Sequence, residues 1–162
     1  MILTMTSKTP EVVIADTSCL IVLSKANLLQ VLNAMYGTVN VTPEIAEEFG
    51  LDLPNWITIE PVSDKKFLSL LNSFIDKGEA SAIAFAMENE ADSLLILDDS
   101  KARKLAGDMG LYYTGTLGML AMAKNKGIIS ELKPILDTII TNGFRIDDKL
   151  RLHILATVNE VD

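Results

Sequence analysis

The sequence predicts an α/β fold with a mainly parallel central sheet covered by helices on both faces. Three observations carry this reading. Glu11–Ala15 and Ser93–Leu97 are short, strongly apolar runs of the kind that form strands buried on both sides. Strand-like runs alternate with helical patterns over most of the chain, as a parallel sheet with crossover helices requires. The last third of the chain is purely helical in pattern.

After the first strand, Asp16-Thr17-Ser18 leads into a helical stretch with Leu20, Leu23 and Ser24 on recurring turns. A second helix is expected from Leu28 to Tyr36, with Gly37 placed to end it. Val39–Val41 is the next strand. Thr42 then reads as an N-cap and Pro43 as a first-turn proline of a short helix to Phe49. Leu51–Asn55 is a loop, and Trp56–Glu60 a strand or extended edge. Helices are expected over Asp64–Phe74 and Gly78–Glu90, the latter with Ala80, Ile83, Ala84 and Met87 as an apolar stripe. Beyond Ser93–Leu97, Ser100 is the expected cap of a helix to Met109, closed by Gly110. Leu111–Tyr113 is a further strand. Helices Thr116–Lys126, Ser130–Thr141 and Asp147–Asn159 complete the pattern. The sequence shows no repeat, low-complexity tract or flexible linker. One domain is expected over residues 1–162, with a core at about 11–126 and a helical extension at about 128–160.

With 162 residues, 49% of them hydrophobic and 22% charged, the chain can bury a substantial core, which excludes disorder. Cys19 is the only cysteine, so no intrachain disulfide framework exists and a reducing compartment is expected. Met1–Pro10 lacks the apolar core of a signal peptide, and no apolar run reaches the roughly 20 residues of a membrane helix. A cytoplasmic protein is the expectation. The formal net charge of −8 disfavours constitutive nucleic-acid binding through a basic surface. Carboxylates that hold a divalent cation would reverse the local field.

Ligands of open parallel sheets bind beyond the carboxyl ends of the strands. Asp16 follows the first strand, and Asp98 and Asp99 follow the most apolar one. If those strands run parallel, the three acids face one edge. Glu79 lies in the first turn of an apolar helix, and Glu44, Glu47 and Glu48 share the short helix after Pro43. Each acid has a plain structural alternative. Asp16 can cap the next helix, Glu79 can serve only the helix dipole, Asp98 and Asp99 can form a turn, and the glutamates can form a solvated face. Taken together, clustered carboxylates repel unless protonated or bound to metal. An all-oxygen donor set suits Mg²⁺ or Mn²⁺ rather than zinc.

Other chemistries are poorly served. His153 is the single histidine and lies in a C-terminal helix, where a surface or packing role is expected. No phosphate-binding loop is present, and Thr114–Gly118 lacks Rossmann spacing. Thr116 is read as a helix cap or as a hydroxyl near the acids. Lys101, Arg103 and Lys104 can meet phosphate or form a solvated helix face.

Several segments together resemble one family. Ile14-Ala15-Asp16-Thr17-Ser18 is similar to the opening motif of PIN domains, and Val41–Phe49 to their second acidic motif. Gly78–Ala84 and Leu97–Arg103 resemble the third and fourth segments. Thr114–Gly118 and Gly143–Ile146 resemble a subfamily of PIN-like proteins related to the toxins of toxin–antitoxin pairs. The similarity runs from about Val12 to Glu160, and the order and spacing of the motifs carry it.

The resemblance implies a three-layer α/β/α nuclease fold and cleavage of single-stranded or structured RNA, with Mg²⁺ or Mn²⁺ held by acids. Asp16, Glu48, Glu79 and Asp99 match the catalytic acids, with Glu47 as alternative to Glu48 and Asp98 beside Asp99 in the metal set. Thr17, Thr116, Lys101 and Arg103 would support the site or the substrate. Where the family often carries a further acid near the next strand end, this chain offers Thr114 and Thr116.

A small antitoxin and a homodimer are the implied protein partners. Apolar residues of the C-terminal helices, such as Ile135, Leu152 and Ile154, would be core or partner surface. The alternative to a ribonuclease is a catalytically inactive PIN-like module that binds protein or nucleic acid. A small-molecule phosphohydrolase ranks behind both, because Thr17-Ser18 gives Asp16 no close second carboxylate.

Overall fold

The computed structural model describes residues 9–89 and 92–161. Its strands are β1 (Val12–Ala15), β2 (Val39–Val41), β3 (Ile57–Ile59), β4 (Ser93–Ile96) and β5 (Tyr112–Thr114). They form one all-parallel sheet in the order β3-β2-β1-β4-β5. The β1–β4 pairing sets Val12 opposite Ser93 and Ala15 opposite Ile96. β1 is therefore central, and the strand order runs outward from it in both directions. Right-handed crossovers taken in opposite directions put helices on both faces, giving the expected three layers.

The helices of the first half are α1 (Thr17–Lys25), α2 (Gln30–Tyr36), α3 (Pro43–Phe49), α4 (Lys65–Leu71) and α5 (Lys77–Glu88). The second half adds α6 (Ser100–Asp108), α7 (Thr116–Asn125), α8 (Lys133–Thr141) and α9 (Asp148–Thr157). Val13, Ile14 and Ala15 of β1, and Leu95 and Ile96 of β4, are buried under these layers. That burial explains why both strands read as continuous apolar runs rather than alternating ones. β5 is an edge strand, and it alternates less cleanly because Tyr112 faces solvent.

The local signals behave as their chemistry requires. Thr42 Oγ1 accepts the N–H of Ile45 and Pro43 occupies the first turn of α3. Gly37 ends α2 at φ 74°, a left-handed value that favours glycine. Two expected caps are corrected. Asp99, not Ser100, caps α6, because its carboxylate accepts the N–H of Ala102 at 2.8 Å. Gly115, not Thr116, stands at the N-cap of α7, which leaves the Thr116 hydroxyl for another partner.

The helix expected from Ser130 begins only at Lys133. The preceding residues are held by Glu160, whose carboxylate accepts the N–H groups of Leu132 and Lys133. The expected end of the Gly78 helix at Glu90, and most of the Met1–Pro10 segment, lie outside the described residues. Among the described residues no single helix is long and apolar enough to cross a membrane. α1 and α2 approach that length and composition only as a pair, bent by 119°.

Candidate active site at the strand ends

The direction of the strand order changes between β1 and β4, and such a switch point opens a crevice beyond the carboxyl ends. Asp16 and Asp98 sit there. The Asp16 N–H donates to the carbonyl of Ile96 at 3.1 Å, which continues the β1–β4 ladder by one step. Asp16 is 1% exposed. Its Oδ1 accepts the Cys19 N–H at 2.8 Å and so caps α1, and its Oδ2 accepts the Asp98 N–H at 3.4 Å. Asp16 thus caps α1, as one reading of the sequence expects, while its carboxylate stays at the strand ends.

Asp98 is anchored from the far side. The N–H of Thr116 donates to Asp98 Oδ1 at 2.8 Å, and the Thr116 hydroxyl donates to Oδ2 at 2.6 Å. This is the partner left open when Gly115 took the cap. Gly115 eases the approach: a Cβ there would lie 3.1 Å from Asp98 Oδ1, a tight contact.

Glu79 occupies the third position of α5, from which it accepts a backbone hydrogen bond from Asp76, half of a capping box. Glu48 is an exposed residue whose carboxylate reaches the start of α5. A Cβ on Gly78 would lie 2.9 Å from Glu48 Oε2 and 3.5 Å from Thr17 Oγ1. Glu48, Gly78 and Thr17 thus meet at the start of α5. Thr17 is 5% exposed and its Oγ1 makes no hydrogen bond. Glu44 Oε2, on the same helix as Glu48, is also buried without one.

Burial pushes the Asp16 carboxyl up to about 7. The negative charges of Asp98 and Glu79 push the same way, against the hydrogen bonds from Cys19 and Asp98. Burial likewise raises Glu79 to about 7, with Asp99, Asp76 and Glu48 adding to the rise. Asp98, Asp16, Glu79, Asp99 and Glu48 therefore lie within electrostatic reach of one another in a chain of repelling acids. The N-termini of α1, α5, α6 and α7 open onto the same edge through Thr17, Gly78, Asp99 and Thr116, and their dipoles favour negative charge there.

A family model for the PIN domain matches residues 12–160. The chain belongs to the PIN-domain family. No curated protein matches it. Membership gives a nuclease-type fold, and PIN domains typically use divalent metal ions.

The donor set of this PIN domain fits such an ion in chemistry: carboxylates, one buried unpaired hydroxyl, and raised carboxyl groups that a cation would relieve. Among the described residues, no three acid, histidine or cysteine side chains are gathered closely enough to cage a metal by themselves. Mg²⁺ keeps several waters in most protein sites, and a partly hydrated ion needs fewer direct ligands.

Of the residues singled out from sequence, Asp16, Asp98, Thr17, Thr116, Glu48 and Glu79 come together. Asp99 is exposed at the rim and caps α6. Glu47 is exposed as well. Lys101 faces solvent and Lys104 pairs with Asp108 at 2.8 Å, so of the basic trio only Arg103 turns toward the crevice. Sequence reasoning missed Gly78 and Gly115, whose lack of a side chain makes the close approaches possible. It also gave His153 only a surface or packing role, although His153 lines a cavity that reaches Asp98.

Proposed function

We propose that this PIN domain is a metal-dependent ribonuclease that hydrolyses RNA phosphodiester bonds. The observation that carries the reading is Asp16, a carboxylate buried at the switch point and touched by the Asp98 backbone, which burial raises first and the charges of Asp98 and Glu79 raise further. Carboxylates are placed in that arrangement at a cost, and a divalent cation removes the cost. Asp16, Glu79, Asp98 and Asp99 would hold Mg²⁺ or Mn²⁺, directly or through water, with Glu48 completing the acidic set. When bound, the ion supplies Lewis acidity and compensates charge at the phosphate.

The chain's own residues prepare that step. Thr116 fixes both oxygens of Asp98. The backbone of α1 orients Asp16. The unpaired Thr17 hydroxyl offers a donor or acceptor inside the crevice. Four helix N-termini favour the anionic substrate. On the motif resemblance, the protein would be the cytoplasmic toxin of a toxin–antitoxin pair, binding a small antitoxin and forming a homodimer. Light scattering alone and with the product of a neighbouring small reading frame tests both assemblies.

The primary experiment is calorimetric titration of Mn²⁺ into the wild type, Asp16→Asn and Asp99→Asn, followed by RNA cleavage assays. Saturable binding lost in both variants supports a shared metal site. A folded wild type that binds no Mn²⁺ sinks the nuclease reading. It leaves the second one, an inactive PIN-like module that binds protein or nucleic acid, favoured by the loose spacing of the acids and by threonines in place of a further acid after β5.

A further inference from the structure

A cavity of about 570 Å³ opens between β5, α7 and the segment from Phe144 to α9, and one end of it reaches Asp98 and Gly115 at the strand ends. That volume suits a single nucleotide rather than a folded partner. The deep walls are apolar, supplied by Leu117 and Met122 of α7 and Ile154 of α9.

The polar and aromatic groups are unevenly placed for a chain of net charge −8. The sequence has three arginines and one histidine, and Arg103, Arg145 and His153 all line this one cavity. Asp98 is the sole acid in its wall. The third arginine, Arg151, is bonded to Asp137 elsewhere, whereas among the described residues neither Arg103 nor Arg145 forms an ion pair. Arg103 lies 5.3 Å from the Tyr113 ring centroid, a cation–π contact that holds its planar guanidinium at the mouth nearest Asp98. Tyr113 and the half-buried Phe144 add aromatic surface.

We propose that this cleft seats one unpaired base of a single-stranded RNA, next to the phosphate presented to the strand-end acids. The inference rests on the ribonuclease reading and deepens it. Aromatic and guanidinium faces stack on any base and distinguish unpaired from paired nucleotides, because a stacked duplex base cannot enter a closed pocket. Arg145 and Arg103 neutralise flanking phosphates, which an otherwise acidic surface would repel. The cleft therefore grips the face of a base rather than its edge, and carries little sequence preference. A peptide occupant would account for the apolar wall but not for two unpaired arginines and an opening onto the acids.

The test is fluorescence anisotropy of a labelled single-stranded hexaribonucleotide with the full chain, in wild type, Phe144→Ala and Arg145→Ala. A hexamer carrying 4-thiouridine gives a second readout by photocrosslinking and peptide mass mapping, independent of how the variants fold. The expected result is about ten-fold weaker binding in each variant, as loss of one stacking or phosphate contact implies. Crosslinks should fall on the segments containing Tyr113 or Phe144, and Mn²⁺ binding should stay at the wild-type value. RNA binding and cleavage that are blind to both variants, with crosslinks elsewhere, overturn the proposal and leave the nuclease reading intact. A wild type that binds the hexamer through the cleft but neither binds Mn²⁺ nor cleaves RNA keeps the subsite and removes the nuclease.

Discussion

Two carboxylates at opposite ends of the chain show what distinguishes a fastening from a site. Glu160 sits beside the start of α8. Burial pulls its pKa up, but the N–H groups of Leu132 and Lys133 and the Lys124 ammonium pull harder, so it ends below the ordinary glutamate value. Asp16 also accepts backbone hydrogen bonds, yet its surroundings are other acids, and burial leaves it at about 7. Both groups satisfy backbone donors. Only Asp16 is left with charge that nothing in the chain neutralises, and that residue of unfavourable electrostatics is what a cation can use.

The comparison breaks most sharply on Asp16→Asn. Asparagine keeps an acceptor for the Cys19 N–H, so α1 should stay capped while RNA cleavage falls on the order of 100-fold or more; equal loss of helical circular dichroism and activity would mean the residue is only structural. Glu160→Gln is the matched control and should leave cleavage unchanged.

Gly78→Ala comes next. The new methyl would displace the Glu48 carboxylate, a flexible chain end, so thermal stability should hardly change while cleavage drops about ten-fold. Unchanged cleavage would remove Glu48 from the site.

Glu160→Ala should lower stability by about 1 kcal/mol in urea unfolding, as loss of a helix-end cap does.

The same contrast has a signature in the pH profile. Asp16 and Glu79 have folded pKa values raised to about 7. Stability from their protonated forms is complete below their ordinary values near 4 and is lost as pH rises through 7. Melting temperature without metal should therefore fall by a few degrees between about pH 5 and 8, and Asp16→Asn should flatten the fall. Glu160 has the opposite sign: its lowered value gives stability present above the ordinary glutamate pKa and lost as pH drops through the folded one. On acidification below about pH 5 the wild type should lose melting temperature that Glu160→Gln does not lose; an equal loss in both would overturn the reading of Glu160.

Much of this was legible in the chain. β1 and β4 could be read because a strand buried on both faces has no room for polar residues, and their acids follow directly. The Thr42-Pro43 start of α3 was legible because cap and proline act within one turn. The cap of α6 was misread by one residue, since Asp99 and Ser100 are both good caps and only the tertiary position of β4 decides between them. The Thr116–Asp98 pair joins residues far apart along the chain, and no local pattern encodes it. The same holds for Glu160, which shortens α8 from its N-terminal side. The Arg103–Arg145–His153 cleft was invisible for the same reason: each of its elements carries one member.

The separation of 82 positions between Asp16 and the Asp98 backbone it touches has a consequence for the chain while it is being made. β1 leaves the ribosome well ahead of β4, the strand it needs on its other side, and the threonine that holds Asp98 and the helix that walls the cleft follow later still. Synthesis proceeds from the N-terminus, and non-local pairing waits for its partner. A nascent chain therefore carries its acids apart, and the crevice forms only after β4, Thr116 and α9 have followed β1 out of the ribosome.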